Sequence, residues 1–138
     1  MKIAVDIDDT LNVIDRVSRA SAYIKRKGLP FRLINDNAGA FLDTFDWKSE
    51  DVAAFMRDGG ITVFTDAPAR KGAREALERL QSEGHEIIIL TARQKEWFGN
   101  PEKLSRDWLE KRRIPYDEIA AEIPLGDKAR FCAERGIS

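Results

Sequence analysis

The chain opens on a short apolar run rich in β-branched residues, Lys2-Ile3-Ala4-Val5-Asp6-Ile7, which predicts a strand. Val13, Val17, Ala20 and Ile24 then recur at helical spacing, with Gly28 as the stop and Pro30 behind it. Residues 31–67 keep no clean period. Within them Ser49 is placed to cap a short helix with Val52, Phe55 and Met56 inward, ended by Gly59-Gly60. Phe31, Phe41, Phe45, Trp47, Phe55 and Phe64 gather aromatic surface in the same stretch. After Pro68 the pattern is regular. Ala73, Ala76, Leu77 and Leu80 mark a helix that closes at Gly84. Glu86 to Thr91 holds four consecutive aliphatic residues, as in a parallel strand covered on both faces. Asn100-Pro101 predicts a cap followed by proline at the first helical position, with Leu104, Trp108 and Leu109 inward. A third strand is expected over Ile119 to Ile123. Asp127 is placed to cap a last helix ending at Gly136.

Strands alternating with helices predict an α/β fold with a parallel sheet, a three-layer Rossmann-like arrangement flanked by helices. The first crossover, from residue 12 to about 85, is long enough to hold an insertion. The length of 138 residues suits one domain, and 43% hydrophobic with 34% charged residues excludes a disordered chain. Lys and Arg number 23 against 24 Asp and Glu, so there is no electrostatic footprint for duplex nucleic acid or an anionic membrane. The longest wholly aliphatic run, Ile87 to Leu90, falls far short of the ~20 residues that span a bilayer. The chain begins on a strand with no signal peptide, and a cytoplasmic location is expected. With Cys132 and His85 each alone of their kind, an internal disulfide and a Cys/His zinc site are excluded.

In open α/β sheets, ligands bind beyond the carboxyl ends of the strands. Three polar signals fall there: Asp6-Ile7-Asp8-Asp9-Thr10, Thr91-Ala92-Arg93, and Lys128. Two carboxylates two residues apart repel unless a cation intervenes, and Mg²⁺ suits hard oxygen donors with room left for phosphate. A carboxylate can attack phosphorus, and a second carboxyl group can protonate the leaving oxygen. Thr91 offers a hydroxyl and a backbone N–H to phosphate; Lys128 offers charge to the transferring group. Taken singly, each signal also reads as turn chemistry, a helix cap or a solvated lysine. The three in this order, each at a strand end, point to phosphate chemistry. His85 in a helix-to-strand turn and Cys132, read as a small buried apolar residue, are structural. Lys25-Arg26-Lys27 and Lys111-Arg112-Arg113 are solvated helix ends. No Walker A or dinucleotide loop is present, and one histidine supports no Ser-His-Asp set.

Asp6 to Leu11, Ile89 to Arg93 and Gly126-Asp127-Lys128 resemble the first three motifs of the haloacid dehalogenase-like (HAD) phosphohydrolase superfamily. Ala67-Pro68 through Ala73, Gly84-His85-Glu86-Ile87, Trp108-Leu109, Ile114-Pro115-Tyr116 and Lys128 through Cys132 look like the cytosolic-type 5′(3′)-deoxyribonucleotidases and their bacterial relatives. The resemblance implies a core of residues 1–11 and 67–138, with a small helical cap over 12–66. It implies that Asp6 is the nucleophile and a Mg²⁺ ligand. Asp8 is then the general acid and base, with its backbone carbonyl on the metal. Thr91, Ala92, Asp9, Thr10 and Lys128 would meet the phosphate, and Lys128 would stabilise Asp6. The substrate implied is a small phosphomonoester such as a nucleoside 5′-monophosphate. Phe41, Phe45 and Trp47 then either stack a nucleobase or form the core of the cap. Asp9 stands where many relatives carry glycine. The fourth motif, a further strand ending in acids that complete the Mg²⁺ shell, does not precede Ser138. An exposed edge beside the first strand is expected, covered by a homodimer or strand exchange, with weak metal binding and slow turnover. The alternative is a phosphate-binding or interaction module without catalysis. A receiver-like phosphoacceptor is disfavoured by the long insertion and by the lack of an acceptor aspartate after the third strand.

Overall fold

The computed structural model describes all residues from Met1 to Ser138. The elements run β1 (Lys2–Val5), α1 (Arg16–Lys27), α2 (Phe41–Thr44), α3 (Ser49–Phe55), a kinked turn (Met56–Gly60) that leaves helical geometry at Asp58 and Gly59, and α4 (Thr62–Thr65). They continue with α5 (Ala73–Ser82), β2 (Glu86–Leu90), α6 (Lys95–Phe98), α7 (Pro101–Lys111), β3 (Glu118–Ala120), a 3₁₀ turn (Leu125–Asp127) and α8 (Lys128–Arg135). The chain divides into two compact units, one of residues 1–13 and 68–138, the other of residues 14–67.

The first unit is an α/β layer built on a parallel sheet of order β1-β2-β3. Val5 pairs with Ile89, and Leu90 with Ala120. The aliphatic run in β2 is the centre of the sheet: Ile87, Ile88 and Ile89 are wholly buried, as a strand covered on both faces requires. Ile87 and Ile89 pack with Leu77 of α5 and with Trp108 and Leu109 of α7. On the opposite face Leu90 shares a groove with Ala129 and Cys132 of α8. Asn100 caps α7 through its side chain, which accepts from the N–H of Lys103 at 3.0 Å, and Pro101 follows at the first position. Gly84, at φ 85°, ends the turn after α5, where the N–H of His85 reaches back to the carbonyl of Leu80.

Four local expectations are corrected. β3 starts one residue earlier than predicted and is only three residues long. Asp127 precedes α8, but its carboxylate pairs with Arg130 at 3.1 Å instead of capping the helix. Cys132 is half-buried and lines the groove, so it is not a core residue. The far edge of β1 is also not bare. After the left-handed cap at Gly136 the chain turns back, and Ile137 bridges Lys2 in parallel. Ser138 donates to the carbonyl of Lys2 and accepts from the N–H of Ala4, both at 2.9 Å.

The second unit is helical and its centre is aromatic. Tyr23 of α1 lies edge-on to Phe55 at 5.1 Å, and Trp47 stacks on Phe45 at 5.0 Å and on Phe41 at 5.9 Å. Asp15 caps α1 through its side chain, and Gly28 ends it in the left-handed region. The buried face of α1 is Arg16, Ala20 and Tyr23; Val13 lies outside the helix and is exposed. Ser49 is the first helical residue of α3 and not its cap, which falls at Lys48; the N–H of Lys48 donates to Asp51 at 2.8 Å.

A β-carbon at Gly60 would lie 2.6 Å from the ring and from the backbone carbonyl of Phe55. Gly60→Ala is therefore expected to destabilise the fold by about 1–3 kcal/mol in urea denaturation, with overpacking as the cause. Tyr23 is buried as a residue, and its hydroxyl donates to Asp58 at 2.9 Å in a partly buried hydrogen bond. Burial first, and this hydrogen bond second, raise its pKa above the ordinary value. The native state thus favours the neutral phenol. The stability it gains is complete below the unfolded pKa and is lost as pH rises through the higher native value. Melting temperature followed from neutral to strongly alkaline pH should fall less steeply for Tyr23→Phe than for the wild type.

Candidate functional site

The site forms where β1, β2 and the turn before α8 end together. Ile7, wholly buried, anchors the loop after β1. Its carbonyl accepts from the N–H groups of Thr10, Leu11 and Asn12, at 3.1, 2.9 and 3.2 Å, which folds residues 8–10 into a tight turn. Asp9 takes the left-handed region at φ 62°. This is the position where the resembled family often has glycine, and aspartate is among the few other residues that tolerate it. Two contacts hold it there: the N–H of Asp9 donates to the side chain of Asn12 at 2.8 Å, and Arg70 donates to its carbonyl at 2.9 Å.

Each of the two leading acids meets its own cation. Lys128, the first residue of α8, donates to Oδ2 of Asp6 at 2.7 Å, joining positions 122 residues apart. Oδ1 of Asp6 accepts from the N–H of Ile7 at 2.8 Å. Asp8 is gripped by Arg93: Nε donates to Oδ2 at 2.9 Å and Nη2 to Oδ1 at 2.6 Å, a two-pronged pair. Asn12 adds a third donor to Asp8 Oδ1 at 2.9 Å. The Asp6 side chain remains 37% exposed while that of Arg93 is 2% exposed, so Asp6 can be reached from solvent and Arg93 cannot.

The predicted phosphate ligands divide. Lys128 is in place beside Asp6. Thr91 is buried, its hydroxyl accepting from the N–H of Arg93 at 3.3 Å. Its own N–H is committed to the carbonyl of Ala120 at 3.0 Å, because the β2–β3 ladder extends one residue past β2. The expectation that this N–H serves phosphate is thereby corrected. The N–H groups of Asp9 and Thr10 are likewise spent inside the loop, leaving their exposed side chains. Ala92 is half-buried between Thr91 and Arg93. Phe41, Phe45 and Trp47 are 5%, 1% and 5% exposed and cover one another's faces. They are the packed centre of the helical unit, and no ring face is open for a base to stack on. Asn12 and Arg93 were not singled out as site residues. The one sequence signal for Arg93 is its place two residues after Thr91, in the Thr91-Ala92-Arg93 segment that follows β2, and Asn12 carries no signal of its own.

For a metal, the chain offers Asp6 and the backbone carbonyl of Asp8. No group of three or more His, Cys, Asp or Glu side chains converges. Oxygen donors with a single exposed carboxylate match the way Mg²⁺ is held, by one or two carboxylates plus substrate phosphate and water. An apolar groove of about 370 Å³ runs beside Asp6 and Lys128, with Leu90, Leu125, Ala129 and Cys132 in its wall.

No protein-family model matches the chain, and no curated protein matches it. Among solved structures it is similar to the crystal structure of a target protein from Vibrio cholerae. The two are 22% identical with a TM-score of 0.46, over 91% of this chain and 72% of the other.

Removing one partner of each acid–base pair should have unequal effects on folding. Asp8→Ala would leave the Arg93 guanidinium buried without its main partner, and is expected to lower stability by about 3 kcal/mol. Asp6→Asn, at a more exposed pair, should cost under about 1 kcal/mol. Urea denaturation of the two variants measures the difference.

Proposed function

We propose that this protein is a Mg²⁺-dependent phosphomonoester hydrolase that works through an aspartyl-phosphate on Asp6. The observation that carries the assignment is the pairing of Lys128 with Asp6 beside the Arg93-held Asp8, at the carboxyl ends of parallel strands. The motif resemblance to the HAD superfamily supports the same chemistry. It is also the ground for naming a small phosphate, with a nucleoside 5′-monophosphate as the first substrate to try.

In this mechanism an oxygen of Asp6 attacks phosphorus in line with the ester oxygen. The P–O bond to the alcohol breaks, and Asp8 in its protonated form gives its proton to the departing oxygen. Asp8, now a carboxylate, takes a proton from water. That water attacks phosphorus, the bond to Asp6 breaks, and inorganic phosphate leaves. Lys128 neutralises charge on Asp6 and on the transferring group. Asp6 and the Asp8 carbonyl would hold Mg²⁺, which supplies further charge neutralisation when bound. The side chain of Thr10 is free to face the phosphate.

A second assignment, a phosphate-binding module without turnover, is favoured by one observation: no group of three or more acidic or other metal-ligating side chains converges at the site to hold a metal tightly. Calorimetry with phosphate and Mg²⁺ separates the two, since a module binds phosphate and releases none from esters.

With Mg²⁺, the wild type should release phosphate from nucleoside 5′-monophosphates and p-nitrophenyl phosphate, and chelation should stop it. Asp6→Asn should lower turnover by about three orders of magnitude or more with circular dichroism unchanged. Retained activity in Asp6→Asn would exclude the covalent mechanism.

A further inference from the structure

We infer that Arg93 is a positioning residue for proton transfer, holding Asp8 by a fixed two-pronged grip, and is not itself a ligand of the phosphate. The inference rests on the phosphohydrolase assignment and names a residue that the acid–base step depends on.

Three observations carry it. The first is that each nitrogen of the Arg93 fork already has a partner. A guanidinium carries five N–H donors in a rigid plane. Here Nε and Nη2 take the two oxygens of Asp8, and Nη1 donates to Ser105 Oγ at 3.3 Å. The second is burial. Arg93 is 3% exposed, its guanidinium carbon lies 5.3 Å from the centroid of the Phe98 ring, and Ser105 is wholly buried on α7. An arginine meant to clamp substrate phosphate would keep part of its fork toward solvent, as Lys128 and Asp6 keep theirs. The third is geometric. A carboxylate on an exposed loop can rotate about its two side-chain torsions, yet two parallel N–H···O bonds fix the plane of Asp8. Asn12 then bonds Oδ1 from the loop itself and, through the N–H of Asp9, ties that plane to the turn. A group that must deliver a proton to one oxygen gains from such pre-orientation. Arginine is required because a lysine ammonium makes a single-point contact and leaves the plane free to turn.

The role has a kinetic signature. The parameter kcat/KM covers steps only up to departure of the alcohol. p-Nitrophenolate leaves without protonation, whereas the alkoxide of an alkyl phosphate needs the proton from Asp8. Arg93→Lys should therefore lower kcat/KM for an alkyl phosphomonoester by about 10- to 100-fold, while p-nitrophenyl phosphate changes by less than about threefold. Competitive inhibition by inorganic phosphate should also stay within about threefold. Ser105→Ala, which removes one support from Arg93, serves as the gentler variant should Arg93→Lys fold poorly. It should shift the alkyl-to-aryl ratio in the same direction by a smaller factor. Equal losses on both substrates, or a loss of phosphate inhibition, would overturn the role for Arg93 and leave the hydrolase assignment standing. A wild-type protein inactive on both substrates would overturn the assignment and the role with it.

Discussion

The pairing of β1 with β2 is the constraint on which the rest of the structure depends. It sets Val5 against Ile89, so the chain leaves both strands at the same level of the sheet. Asp6 emerges one residue past β1, and Thr91 and Arg93 emerge just past β2. A register slip of one residue would turn Ile87 and Ile89 away from Leu77, Trp108 and Leu109 and would move the acids relative to Arg93. The apolar core therefore sets the position of the polar site: the burial that stabilises β2 is also what makes the Asp8–Arg93 pair possible across 85 residues. The 3₁₀ turn before α8 brings Lys128 onto Asp6 from a third direction.

The resulting electrostatics are asymmetric. Asp6 and Asp8 stand two residues apart, and each is balanced by a different cation in a different setting. Lys128 is a point charge on a flexible stem beside a half-exposed carboxylate. Arg93 is a buried planar fork. That division suits a nucleophile that must be reached and a proton donor that must be held still. The strain at Asp9 belongs to the same design, since Asn12 and Arg70 hold its left-handed backbone while Asn12 also bonds Asp8.

Much of the first unit was legible in the sequence because its signals are local. Four aliphatic residues in a row, Asn100-Pro101, Gly84 and Gly136 each specify a strand, a cap or a stop without help from distant residues. β3 is hard to place because none of its three residues is fully buried and they are defined by pairing with Ile88 to Leu90, which no local pattern encodes. The helical unit was harder still. Its order comes from ring-on-ring packing among Tyr23, Phe41, Phe45, Trp47 and Phe55, so aromatic composition was visible while the direction each ring faces was not. At the site, Asp6, Asp8 and Lys128 were legible from motif order. Arg93 was not, because a positively charged residue after a strand gives no hint that it will be buried against a carboxylate from the other end of the unit.

The central claim is that Asp6 accepts a phosphoryl group, and mass spectrometry of the intact protein tests it most directly. Wild-type protein mixed with Mg²⁺ and a phosphomonoester, then quenched in acid within milliseconds, should carry the added mass of one phosphoryl group, mapped to the peptide that contains Asp6. A protein that turns over the ester yet never carries that mass, or carries it on a peptide without Asp6, would contradict the account.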